Sequence, residues 1–188
     1  MIHCVIDQVV SELNDYMQIR TGVEQKPVVA ATLMKPDGQP DPKNGDKLVL
    51  SVVNVEADRV YHSVETFAKK PDDTIEVVKP DVRVNLYLLF VGNYTQYAEA
   101  LKAISLVFAF FQRRTALDYA SIAGLDGRKG RVTFEMMSPT FEQQNHLWGA
   151  LGAKYMPSVL YKAGLLDIGD QATEGIAPPT QDMGTRSR

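Results

Sequence analysis

VRVNLYLLFVGNYTQYAEALKAISLVFAFFQRR, residues 82–114, alternates at first and then turns continuously apolar at Leu86, Tyr87, Leu88, Leu89 and Phe90. A run of that kind suits a central strand buried on both faces. Asn93 or Thr95 can cap the helix that follows, which the spacing places at 94–113. One of its faces carries Tyr97, Leu101, Ile104, Phe108 and Phe111, and a second carries Ala103, Val107 and Phe110. The C-terminal half is thus apolar nearly all round, which predicts burial on more than one side and leaves the second side for another subunit. Arg113 and Arg114 close the helix where positive charge suits its dipole.

Upstream, Ile2, Val5, Ile6, Val9, Val10, Leu13 and Met17 recur at helical spacing and predict an amphipathic first helix ending near Gly22. Residues 28–33 are rich in β-branched residues and read as a strand. The stretch from Lys35 to Asp46 is almost all turn formers and reads as a long exposed loop. A further strand is expected over 47–60, and a short edge strand at Ile75, Glu76 and Val77. Downstream, 115–130 is a glycine-bearing connector, and Val132 to Met136 alternates as a strand. Ser138 and Pro139 open another helix, where Thr140 and Gln143 have capping-box spacing and Phe141, Leu147, Trp148 and Leu151 are expected to face inward. Gly152 stops it, and 158–168 is a last strand. The whole is an α+β chain: a single domain over 1–170 with a mixed, mainly antiparallel sheet packed with helices, then a flexible tail over 171–188.

The composition excludes several functions. With 188 residues, 45% hydrophobic and 23% charged, the chain is an ordinary globular one. A formal charge of −3 and a sequence pI near 5.6 offer no basic face for nucleic acid. Cys4 stands alone, so neither an internal disulfide nor a thiolate metal cage can form. No signal peptide is legible, and the longest strongly apolar stretch, 104–111, is too short for a bilayer, so synthesis in the cytoplasm without membrane insertion is expected. His3, His62 and His146 have no partners at metal-ligand spacing. There is no phosphate loop and no nucleophile elbow. The spaced glycines and two cations of 124–130 leave open an anion-binding turn and a small-ligand regulator. A tether acting through the tail to a membrane or other assembly is the other alternative. No catalytic, cofactor or metal residue is expected.

Three stretches together resemble the family of small cap, or tail-terminator, proteins of extracellular contractile injection systems, which are phage-tail-like particles. They are 49–56 (VLSVVNVE), 86–101 (LYLLFVGNYTQYAEAL) and, the most specific, 141–162 (FEQQNHLWGALGAKYMPSVLYK). The resemblance covers roughly the first 170 residues. Two departures stand out: Ala163 and Gly164 where the family has a basic, β-branched strand ending, and the Lys35–Asp46 loop. The resemblance implies a non-enzymatic, tail-terminator-like fold in a bacterial particle. Six copies would form a ring on the last layer of inner tube and sheath, ending polymerisation and fixing length. On that reading Tyr97, Leu101, Val107, Phe108, Phe110, Phe111 and Trp148 are expected at the ring interface. Val49, Ser51, Val53, Val55, Val159, Tyr161 and Leu165 are expected against sheath or tube, with the strands over 47–60 and 158–168 as edges for strand exchange.

Overall fold

In the computed structural model the described residues are 1–22, 25–58, 67–69, 75–77, 82–125, 127–128, 130–168 and 175–177. Helix α1 (Ile2–Thr21) buries Val5, Ile6, Val9, Leu13 and Met17, and Gly22 ends it in the left-handed conformation expected of a C-terminal glycine. Strand β1 (Val28–Ala30) leads into a loop that closes on itself through a bridge between Met34 and Pro40 and a short 3-10 turn, Pro42–Asn44. Strand β2 (Lys47–Ala57) follows, then β3 (Phe67–Lys69), β4 (Ile75–Val77) and β5 (Val82–Asn93). Helix α2 (Tyr97–Arg113), β6 (Ala116–Asp118), β7 (Arg131–Met137), helix α3 (Phe141–Leu151), β8 (Ser158–Ile168) and β9 (Gly175–Ala177) complete the order.

The chain forms two compact units, one of residues 1–56 and 84–166, the other of residues 57–83 and 167–188. In the second, β3, β4 and β9 form a small antiparallel sheet with β4 in its middle, so the expected strand at Ile75–Val77 is present but is not an edge. Within the stretch expected as a tail, Gly175–Ala177 is this third strand; the other residues of 171–188 lie outside the described ones, as does His62.

The six-stranded sheet has the order β1-β2-β5-β8-β7-β6. Strands β1 and β2 run parallel, while β6, β7 and β8 are antiparallel neighbours. Gly92 N–H at the end of β5 donates to Pro157 C=O just before β8, at 2.9 Å, and Asp58 N–H after β2 donates to Arg83 C=O at the start of β5, at 2.8 Å. Both junctions are therefore antiparallel, and the sheet is mixed and mainly antiparallel, in an α+β fold as the sequence predicts. Central β5 is buried along Val84–Asn85–Leu86 and again over Leu88–Gly92. The middle position explains its unbroken apolar run.

Helices cover both faces. On one, α2 lays Phe111 against Phe90, Tyr161 and Phe134, with ring centroids 5.5, 4.3 and 4.9 Å apart. Helix α1 lies beside α2, joined by the Tyr16–Phe110 edge contact at 5.6 Å. Arg114 Nε sits 2.9 Å from Glu12 Oε2, a charge contact rather than an aligned hydrogen bond. On the other face Trp148 of α3 meets Leu33, Val49, Leu89 and Val91. Gly92 is required where β5 passes under α2: a Cβ there would lie 3.0 to 3.1 Å from the backbone and Cβ of Ala100.

The caps are partly as expected. Thr140 and Gln143 form the complete capping box of α3. Helix α2 has Gln96 at its N-cap, with no side-chain cap. Asn93 and Thr95 are engaged elsewhere: Asn93 Nδ2 donates to Asn44 C=O at 2.9 Å, and Thr95 N–H to Asp46 Oδ1 at 2.7 Å. The second half of the Lys35–Asp46 loop is thereby tied to the sheet, with Asn44 buried and donating to Thr32 C=O.

Candidate assembly surfaces

The predicted contact residues divide sharply by burial. Val107, Phe110, Phe111 and Trp148, expected at a ring interface, are core residues. Of the apolar residues of α2, Phe111 is taken up by the sheet and Phe110 by α1. Val49, Ser51, Val159 and Tyr161, expected against sheath or tube, are also buried, and Ser51 donates to Ala31 C=O. Strands β2 and β8, expected as edges, lie inside the strand order, whose ends are β1 and β6, although β1 pairs with β2 only over Leu48–Leu50.

Other predicted residues do reach the surface. Tyr97 (67% exposed), Leu101 (44%) and Phe108 (38%) share one flank of α2, turned away from α1. The nearby charges Glu99 and Lys102 satisfy one another at 2.7 Å. Val55 is exposed and Val53 half-buried, because β2 leaves the core beyond Ser51. The side chain of Leu165 lies outside the described residues.

Sequence reasoning missed the surface on the opposite face. Phe141, expected inward, is 92% exposed at the first turn of α3, and Tyr155 is 64% exposed just past its end. Together with Gln144, Asn145, Trp148 and Gly152 they line a hollow of about 460 Å³. Trp148 and Tyr155 meet edge to face at 5.6 Å. The spacing of Phe141, Trp148 and Leu151 suggests one buried stripe. Trp148 is buried, and Leu147 and Leu151 pack half-buried against the same cluster as expected; only Phe141, at the first turn, faces outward. Large aromatic side chains left this open are the usual anchors of protein–protein contacts.

Chemistry is sparse. No group of three or more His, Cys, Asp or Glu that could hold a metal occurs among the described residues, and no helix among them is long and apolar enough to cross a membrane. In the glycine turn Leu125 is buried and Arg128 half-buried, while Asp126 and Lys129 lie outside the described residues. His146 is exposed on α3.

Residues 5–182 match the Pvc16 N-terminal domain family. The chain belongs to that family. Among solved structures it is similar to the sheath/tube terminator of an extracellular contractile injection system, PVC, in its extended state, with a TM-score of 0.59 at 14% identity, covering 95% of this chain. It is similar also to the tube-terminating cap of the anti-feeding prophage, with a TM-score of 0.50 at 16% identity over 92% of this chain. The Pvc16-type fold described here spans 63% and 60% of the length of those two chains. No curated protein matches the chain.

Proposed function

We propose that this chain is a structural terminator subunit. In this reading copies of it close into a ring, six by the resemblance, on the last layer of inner tube and sheath of a contractile injection particle. The ring blocks further addition and fixes particle length, and it assembles in the bacterial cytoplasm without enzymatic activity.

The observation that carries the reading is the family match over 5–182, together with its likeness to two structures described as terminators. The geometry supports it. A closed ring needs two different surfaces on each subunit, one for each neighbour. Exposed apolar side chains occur on α2 (Tyr97, Leu101, Phe108) and on α3 (Phe141, Tyr155), on opposite faces of one sheet. Val53 and Val55, where β2 emerges from the core, are the predicted sheath or tube residues still open to a partner.

Electron microscopy of particles from a strain lacking the gene tests the reading. Overlong, ragged or missing tubes and sheaths are expected. Particles of normal length with closed ends would remove it.

A further inference from the structure

The two exposed apolar surfaces lie at opposite ends of the six-stranded sheet. Helix α1 covers the β1 end, where Asn14 holds Val28. Helix α2 lies farther along, with Phe111 against Phe90 of β5, Tyr161 of β8 and Phe134 of β7. The flank of α2 turned away from α1, with Tyr97, Leu101 and Phe108, therefore looks toward the β6 end. Met136, two residues beyond Phe134 and so on the same face of β7, is exposed there as well. Helix α3 takes the other face and the other end: the cluster around Trp148 draws in Val49 of β2 and Val29 of β1.

Gly149 lines the hollow beside Trp148. It is exposed, its backbone is helical, and a Cβ there would meet nothing within 4 Å. Neither backbone conformation nor packing inside the chain requires glycine at this position, and glycine weakens a helix relative to alanine. A close approach from outside the chain accounts for it. No charged side chain lines the hollow, and Tyr97, Leu101 and Phe108 carry no charge, so the two surfaces can meet without burying an ion. Their lengths also match. From Tyr97 to Phe108 helix α2 rises about 16 Å, and the 11 residues of α3, along which the hollow runs, span about the same.

We propose that the α3 hollow receives the α2 flank of a second copy, with Tyr97 and Phe108 seated against Trp148 and Tyr155 and Gly149 admitting the approach. The contact joins the β6 end of one subunit to the β1 end of the next, a head-to-tail join that can repeat around a closed ring. It rests on the terminator reading, and names the partner surfaces that its ring brings together.

The test is photocrosslinking in injection particles whose full-length chain carries p-benzoylphenylalanine in place of Phe108. A crosslink to residues 141–155 of a second copy is expected. Gly149→Leu in the same chain is expected to weaken that crosslink roughly tenfold or more, because the added side chain overfills the contact. The thermal midpoint of the isolated variant should be unchanged or raised, since leucine favours the helix. Crosslinks only to sheath, to tube or to α2 of a second copy, no intermolecular crosslink, or a crosslink indifferent to Gly149→Leu would each overturn the pairing, with the chain still a particle component. Absence of the chain from particles by immunoblot would instead remove the terminator reading, and the purified chain then decides the pairing. Phe108→Asp keeps an intact hollow and Gly149→Leu an intact flank. Each alone is expected to stay monomeric in sedimentation, and their mixture to form a complex of one copy of each that grows no further. No complex in the mixture would overturn the pairing.

Discussion

Asn14 holds the backbone of Val28 by both of its hydrogen-bonding groups: its Oδ1 accepts the Val28 N–H at 3.0 Å, and its Nδ2 donates to the Val28 C=O at 3.0 Å. Strand β1 turns Pro27 and Ala31 toward β2, shown by Leu48 N–H donating to Pro27 C=O and Ala31 N–H to Leu50 C=O. By alternation Val28 points its N–H and C=O outward, along the free edge of the sheet. Asn14 occupies the place of a next strand. It closes an edge that would otherwise invite pairing with another chain.

Asn14→Ala is therefore expected to destabilise the chain by roughly 2–3 kcal/mol, because two largely buried backbone groups lose their partners. Urea unfolding measures this. The same variant is expected to self-associate on concentration, seen by light scattering. A loss near zero with unchanged solubility would show that water replaces Asn14 at no cost.

The crossing of β5 under α2 depends on Gly92. Its Cβ position lies 3.0 Å from Ala100 C=O oxygen and 3.1 Å from Ala100 Cα, which is backbone and cannot swing aside. Gly92→Ala is expected to cost about 1–3 kcal/mol by forcing the helix away from the strand. The thermal midpoint should fall by several degrees. Ala100→Gly in the same chain is expected to recover only part of the loss, because the α2 backbone remains in place.

Much of this architecture was legible because local patterns and tertiary positions agree. The apolar run at 86–90 marks the central strand, the Thr140–Gln143 spacing marks a capping box that forms in full, and Gly22 and Gly152 end their helices in the left-handed conformation. The surfaces were much harder to read. Periodicity shows that Phe110, Phe111 and Phe108 are all apolar, but only packing shows that α1 and the sheet claim the first two and leave the third. The same limit applies to Phe141, whose helical phase relative to Trp148 says nothing of how far α3 overlaps the sheet. Strands β2 and β8 read as edges from sequence alone because edge status depends on neighbours distant in sequence.

The alkaline limb of stability should report on the core. Burial pushes the phenol of Tyr161 above its ordinary 10.0, so the folded state holds that proton more tightly than the unfolded chain. Between the unfolded and folded values the native state binds more protons, and stability falls as pH rises. The contribution is fully present below about pH 10 and is lost above it. Tyr161→Phe keeps the ring that stacks on Phe111. It is expected to leave neutral stability nearly unchanged and to flatten the decline between about pH 9.5 and 11 in urea midpoints. An unchanged slope would place the alkaline sensitivity elsewhere, with Tyr94 the next residue to replace.

The ring surface itself can be tested without disturbing the core. Phe108 is partly exposed on the α2 flank that carries Tyr97 and Leu101, whereas Phe110 and Phe111 two and three residues on are buried. Aspartate at Phe108 puts a charge into any apolar contact made there, at a cost of several kcal/mol once desolvated. In the isolated chain the same charge stays in water. Phe108→Asp is thus expected to fold, with a thermal midpoint within a few degrees of the parent, and to fail to form rings in size-exclusion chromatography and negative-stain images. Phe110→Asp is the contrast, since it breaks the contact with Tyr16 and is expected to unfold the chain. Phe141→Asp on α3 separates the two surfaces: loss of rings by both exposed variants supports a subunit that uses opposite faces for its two neighbours. Intact rings with Phe108→Asp would exclude this flank of α2 from the interface, whatever the outcome at Phe141.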